Sequence, residues 1–193
     1  TMIVMGSRGM GGLSGMVMGS VSASVVSHAS CPVVVVREDN HVTDSTKYGP
    51  VVVGVDGSEV SQKATSYAFR EAQARGAALI AVHTWMDMQV QASLAGLSAA
   101  QSEWADIERE QSELLTENLK EPREEYPEVE VKKLITRDRP VSALTEAAEG
   151  AQLLVVGSHG RGGFKGMLLG STSRALLQSA PCPMMVVRPD EEG

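Results

Sequence analysis

Residues 157–171 read GSHGRGGFKGMLLGS, with Gly157 and Gly160 separated by two residues and the pair Gly170-Ser171 following after nine more. The run follows Leu153-Leu154-Val155-Val156, whose composition is that of a buried strand, and precedes a segment whose spacing predicts a helix opening at Gly170 or Ser171. Glycines let backbone amides approach an anion with no Cβ in the way. A helix start adds unpaired N–H groups and the positive end of a dipole. Strand, glycine turn and helix in this order form a backbone cradle suited to the phosphates of a nucleotide.

The same pattern occurs again as GSRGMGGLSGMVMGS, from Gly6 to Ser20. Placing residues 2–39 on 153–190 at a constant offset of 151 requires no gap and makes 18 of the 38 positions identical, so the chain contains an internal repeat. Each copy ends in an apolar strand behind a Cys-Pro pair, Val33 to Arg37 after Cys31-Pro32 and Met184 to Arg188 after Cys182-Pro183. What precedes the copies differs. Residues 49–190 amount to about 140, a common domain size, whereas the first copy begins inside its strand. The expected organisation is a C-terminal strand–helix–strand fragment of a first domain at 1–39, a polar linker at 40–48, a complete domain at 49–190 and a tail at 191–193.

Hydrophobic residues make up 42% of the chain and charged residues 21%, which allows an ordinary globular core. Aromatics are only 4%, so aliphatic side chains and Met must fill it. No apolar run approaches the ~20 residues of a membrane helix and no basic-then-apolar leader is seen, which makes a cytoplasmic location the default expectation. The net charge of −7 is concentrated: Glu103 to Glu130 holds 11 acidic and three basic residues. The remainder is nearly neutral, with no basic stripe for nucleic acid, and the acidic stretch reads as a solvated helix face. Cys31 and Cys182 read as small buried residues.

Along 49–190, Val51-Val52-Val53-Gly54-Val55 reads as a central parallel strand that meets Asp56-Gly57-Ser58, with Ser58 as helix N-cap and Glu59 in the first turn. That helix runs to about Arg75 and stops at Gly76. Ala78 to Thr84 is a second strand. After a polar loop from Trp85 to Leu97, Ser98 and Gln101 form a capping-box pair ahead of a helix striped by Trp104, Ile107, Gln111, Leu114, Leu115 and Leu119. Val129, Val131 and Ile135 alternate as an edge strand does. Pro140 opens a short helix with Val141 and Leu144 inward, and Gly150 closes it. The alternation predicts an α/β fold: an open, mostly parallel five-stranded sheet of order 3-2-1-4-5 with helices on both faces. Ligands bind beyond the carboxyl ends of such strands, where the order reverses. If the first and fourth strands are neighbours, Asp56 and the Gly157 loop meet there.

Neither common phosphate fingerprint fits. Walker A needs Gly-Lys followed by Ser or Thr, but Lys165 precedes Gly166 and Met167; the dinucleotide motif starting at Gly160 and Gly162 needs a glycine where Lys165 stands. The motifs Val55-Asp56-Gly57-Ser58 after the first strand and Gly157, Gly160, Gly170, Ser171 after the fourth instead resemble the ATP-binding branch of the universal stress protein family. The resemblance covers about 49–190, with 2–39 as a partial second copy, and fits the tandem-domain members.

Carried over by position, the resemblance implies that Gly54 and Asp56 lie against adenine and ribose and that Thr84 contacts the base. It implies that Gly157, Ser158, His159, Gly160, Arg161 and Gly162 wrap ribose and phosphates, and that Gly170, Ser171, Thr172 and Ser173 hold the phosphate tail. Mg or Mn would arrive with the nucleotide, held by phosphate oxygens and water. In the first copy, Gly6, Gly9, Gly19, Ser20, Val21 and Ser22 match the phosphate half of a site whose aspartate half is missing. The strand Val33 to Arg37 is expected to dock on its equivalent at Met184 to Arg188, in this chain or another, and a homo-oligomer, a dimer paired through last strands, is expected.

Residue by residue, plainer readings stand beside these. Asp56 also suits a simple helix start, Arg161 and Lys165 also suit solvated loop charges, and Gly162, Gly163 and Gly166 also suit loop flexibility alone. His159 has Arg8 as its repeat counterpart, which argues against a catalytic role, and His83 in its apolar strand reads as a core residue. The expected function is a nucleotide-dependent stress-response regulator that retains ATP. The alternatives are a slow ATP hydrolase, for which no water-orienting residue stands out, and a dimerisation scaffold that binds no nucleotide.

Overall fold

Runs of β-branched residues such as Val51–Val53 have no side that tolerates water, so each must be covered on both faces. The computed structural model describes residues 1–7, 18–37, 40, 48–85, 101–161 and 168–189, with backbone only for 101–105. The strands are β1 (Ile3–Gly6), β2 (Val33–Val36), β3 (Val51–Gly54), β4 (Leu79–Thr84), β5 (Val131–Thr136), β6 (Leu153–Gly157) and β7 (Met184–Val187). The helices are α1 (Ser20–His28), α2 (Glu59–Arg75), α3 (Gln101–Glu125), α4 (Pro140–Ala147) and α5 (Ser171–Ser179). The capping-box residue Ser98 and most of the 40–48 linker lie outside the described residues.

Strand alternation sorts the core into two layers. Val52, Leu154, Val156, Met184 and Val186 pack with Leu144 of α4 and Leu176 and Leu177 of α5, joined by Val26 of α1. Val51, Val53, Leu153, Val155, Met185 and Val187 face the other way, against Ala64, Ala68, Phe69 and Ala72 of α2 and Leu115 and Leu119 of α3. Helix ends follow local chemistry. Ser58 Oγ accepts the Ser61 N–H at the start of α2, and Gly76 closes that helix at φ +60°, a conformation that favours glycine. Before α4, Asp138 is held below the usual carboxylate range, chiefly by a hydrogen bond from Ser142 and then by the backbone N–H of Arg139. Leu114, expected in the inward stripe of α3, is 48% exposed; its neighbour Leu115 takes the inward position.

The sheet has seven strands among the described residues, in the order β1-β2-β7-β6-β3-β4-β5, not the five expected, and this order differs from the anticipated 3-2-1-4-5. The reason is edge pairing. The strands of 49–190 lie side by side as β5-β4-β3-β6-β7, all parallel, and β7 would end the sheet with a row of unpaired backbone groups. Strand β2 covers that row antiparallel, and β1 extends the sheet beyond it.

The docking of last strands therefore occurs within one chain. Val34 stands opposite Met185, its own repeat counterpart, and Val33 and Val35 stand opposite Val186 and Met184, so a pseudo-two-fold axis passes between Val34 and Met185. The pairing of β1 with β2 reproduces that of β6 with β7, Gly6 to Val36 matching Gly157 to Val187. Arginines close the seam reciprocally. The Arg188 guanidinium donates to the Ala29 carbonyl at 3.2 Å and that of Arg37 to the Gln178 carbonyl, each placing a cation at the other repeat's helix C-terminus, where the dipole favours it.

Candidate functional site

Parallel pairing of β3 with β6 sets their C-terminal ends side by side and brings Asp56 to the glycine loop. The Asp56 carboxylate accepts three hydrogen bonds. Oδ1 takes the Ser58 N–H at 2.9 Å and the Ser58 hydroxyl at 2.7 Å, and Oδ2 takes the Arg161 N–H at 3.1 Å. Below it, the Asp56 N–H donates to Ser61 Oγ at 3.0 Å. Ser61, which the sequence reading did not single out, thus braces the site; a serine five residues past the aspartate on the inner face of α2 was the available signal.

A Cβ would collide at Gly160 and be crowded at the other motif glycines. One added to Gly160 would lie 2.3 Å from Asp56 Oδ2, one on Gly157 3.0 Å from Val60 Cγ1, one on Gly170 3.2 Å from His159 Cα, and one on Gly54 3.2 Å from Leu144 Cδ1. At Gly157, Gly170 and Gly54 the tight neighbours are packing atoms, so these glycines serve close approach of chain to chain.

On the far side of the loop, Gly170 is the N-cap of α5 with an extended backbone and no side-chain capping bond. The N–H groups of Ser171, Thr172 and Ser173, in the first turn, have no intrahelical acceptor, and they form the positive end of the helix. The side chains divide differently from the expectation. Ser173 is buried and its hydroxyl donates to the Gly157 carbonyl at 2.7 Å, so only its backbone N–H can face an anion. Ser158 is fully buried, with Oγ 3.0 Å from His159 Nδ1. Its backbone ties the loop down at both ends, its N–H donating to Val187 O and its carbonyl accepting from Gly170 N–H, each at 2.7 Å. Ser171 is exposed and Thr172 half-buried. Thr84 ends β4, half-buried and opposite Thr136, two strands from β6. Gly162, like Gly163, Lys165 and Gly166, lies outside the described residues.

The first copy repeats the cradle's frame. Ser22 Oγ donates to the Gly6 carbonyl at 3.0 Å; Ser7 N–H donates to Val36 O at 2.8 Å and Gly19 N–H to Ser7 O at 2.9 Å. Ser20 is exposed and the Val21 side chain points into open space at 71% exposure; Gly9 lies outside the described residues. Because β2 and β7 are antiparallel, the two cradles open at opposite ends of the sheet.

Beside Asp56 lies a cleft of about 610 Å³ between α2 and α3, lined among others by Gly57, Gln62, His83, Asn118 and Arg161. His83 reaches its floor as a core residue, its ring nitrogens bonded to the Val55 carbonyl at 2.7 Å and the Gln111 carboxamide at 2.9 Å. Burial pushes the Cys182 thiol up to about 12, which leaves it protonated and unreactive at neutral pH. Among the described residues no group of three or more His, Cys, Asp or Glu side chains is placed to hold a metal ion, and no helix is long and apolar enough to cross a membrane.

Comparison with known proteins agrees with the fold. A universal stress protein of Mycobacterium tuberculosis strain H37Rv is 46% identical over 187 residues, which are 97% of this chain and 61% of that protein. One from Mycolicibacterium smegmatis is 46% identical over 188 residues, 97% of this chain and 62% of that protein. The chain thus spans about three fifths of the length of the curated relatives it matches. The crystal structure of a universal stress protein from Archaeoglobus fulgidus superposes with a TM-score of 0.64 at 27% identity, over 97% of this chain and 62% of that one. The sequence profile of the universal stress protein family matches residues 1–37 and 47–188. The chain belongs to the universal stress protein family.

Proposed function

We propose that this chain binds ATP at the C-terminal ends of β3 and β6 and acts as a nucleotide-dependent stress-response regulator. One observation carries the reading: a carboxylate on β3's end and a glycine loop on β6's end converge beside a helix start that has no side-chain cap among the described residues. Peptide N–H donors suit phosphate oxygens, and a helix N-terminus favours their charge. Ser171, Thr172 and Ser173 would offer backbone donors to the phosphate tail, Gly157, Gly160 and Arg161 would line the approach, and Gly54, Asp56 and Thr84 would bound the nucleoside end. Mg²⁺ or Mn²⁺ would be held by phosphate oxygens and water.

The same reading assigns 1–39 to a first domain's C-terminal part and 49–190 to a whole domain. Supporting it, β6 is flanked by β3 and β7, while β1, its counterpart, has only β2 beside it among the described residues, with Ile3 38% and Val4 63% exposed. Since β7's edge is already covered by β2, assembly with a second copy would use another surface.

Nucleotide released by denaturing the purified protein, identified by mass and absorbance, tests the reading. ATP at near one equivalent is expected; protein that is nucleotide-free and fails to take up added ATP would overturn it. Phosphate release followed over hours separates retention from slow hydrolysis.

A further inference from the structure

We infer that Asp56 is a positioning residue for the glycine loop, its carboxylate latching the loop's backbone to the start of α2. A carboxylate offers about four lone-pair sites, and three are taken within the protein. Two donors from Ser58 fix Oδ1 to the N-cap of α2, and that serine is itself held by the Ser61 N–H at 3.2 Å. The other oxygen reaches across the crevice to the Arg161 N–H at 3.1 Å. One rigid helix start therefore grips a loop 105 residues further along the chain.

Gly160 fits this role. The carboxylate oxygen occupies the space a Cβ would need, 2.3 Å away, so the glycine is required by the latch before any ligand arrives. A carboxylate acting only on a ligand would face the open crevice, whereas Oδ2 here faces a loop amide. Asparagine cannot substitute: with its oxygen on the two Ser58 donors, its NH₂ meets the Arg161 N–H, donor against donor. The consequence for phosphate binding rests on the nucleotide reading above; the latch itself does not.

Two measurements on Asp56→Asn test it, with unchanged thermal unfolding as the folding control. In ligand-free protein, exchange of the Arg161 amide hydrogen, read by NMR, is expected to speed up about tenfold on losing a hydrogen bond to a charged group. Affinity for inorganic tripolyphosphate, which has no sugar or base, is expected to fall about tenfold as well. Ser58→Ala, which removes one Oδ1 donor and keeps the charge, should move both readouts the same way by less. Unchanged Arg161 exchange, or tripolyphosphate affinity within twofold of the parent while ATP affinity drops, would overturn the latch in favour of direct contact with the nucleoside. A parent protein that binds neither ATP nor tripolyphosphate would sink the nucleotide reading instead, and the exchange comparison alone would then decide the latch.

Discussion

Replacing Gly160 by alanine would place a methyl group 2.3 Å from Asp56 Oδ2 and 3.5 Å from its Cγ. The oxygen contact is about 1 Å closer than non-bonded atoms settle. Gly160 is not among the described glycines with positive φ, which are Gly57, Gly76 and Gly150, so alanine adds no backbone strain and the collision stands alone. Ser58 holds Oδ1 through two bonds while Arg161 holds Oδ2 through one at 3.1 Å; the single longer bond is the one that gives way. A hydrogen bond to a charged group contributes about 1.5–3 kcal/mol, which converts to about 10- to 140-fold in affinity if the loop must be re-ordered when phosphate binds. Titration calorimetry with ATP on the parent and Gly160→Ala measures this, and the thermal midpoint should shift little because Arg161 is exposed. Adding Gly160→Ala to an Asp56→Ala background should cost almost nothing more, since the carboxylate it strikes is gone. ATP bound by Gly160→Ala within twofold of the parent would refute the steric argument.

Further outcomes follow from the packing. Phe69, fully buried on α2 with its ring 6.2 Å from that of Tyr126, should cost about 3–5 kcal/mol when cut to alanine, measured by urea unfolding. Ser173→Ala should lower stability by about 1–3 kcal/mol by leaving the Gly157 carbonyl without its donor. Val34→Asp puts a carboxylate at a 7% exposed position opposite Met185 and should open the seam, seen as rapid proteolysis within residues 1–40. Folding raises the Cys182 thiol from 9.0 to about 12, so the unfolded chain binds fewer protons between those values. Stability should be full below about pH 9 and decline as pH rises toward 12, a slope that Cys182→Ala should flatten in urea midpoints measured across that range.

Most of the strand framework was legible because apolar runs and glycine punctuation are local signals: Val51–Gly54, Leu153–Gly157 and Met184–Val187 all lie where their composition placed them. The edge position of β5 was legible too, although its burial does not alternate as expected: Lys132, Lys133 and Leu134 are exposed in succession, the lysines protecting the edge. The seven-strand count was not, because it depends on which backbone edge β2 covers, a non-local pairing that no periodicity encodes. The reciprocal contacts of Arg37 and Arg188 with the opposite helices follow from that pairing and were equally hidden. At the site, glycine spacing located the loop, yet residue type could not say whether a serine hydroxyl faces a ligand or its own strand end. Ser173 and Ser22 both bond the strand-end carbonyl, which only the helix-to-strand geometry decides.

Amide chemical shifts recorded while ATP is titrated into ¹⁵N-labelled protein first stripped of bound nucleotide test ATP binding at this site. Saturable shifts are expected at Gly160, Arg161, Ser171, Thr172 and Ser173, and with Gly160 replaced by alanine those of the other four should need about 10- to 140-fold more ATP. Shifts confined to Gln62 and Asn118 in the α2–α3 cleft, or no shift at any ATP concentration, would contradict it.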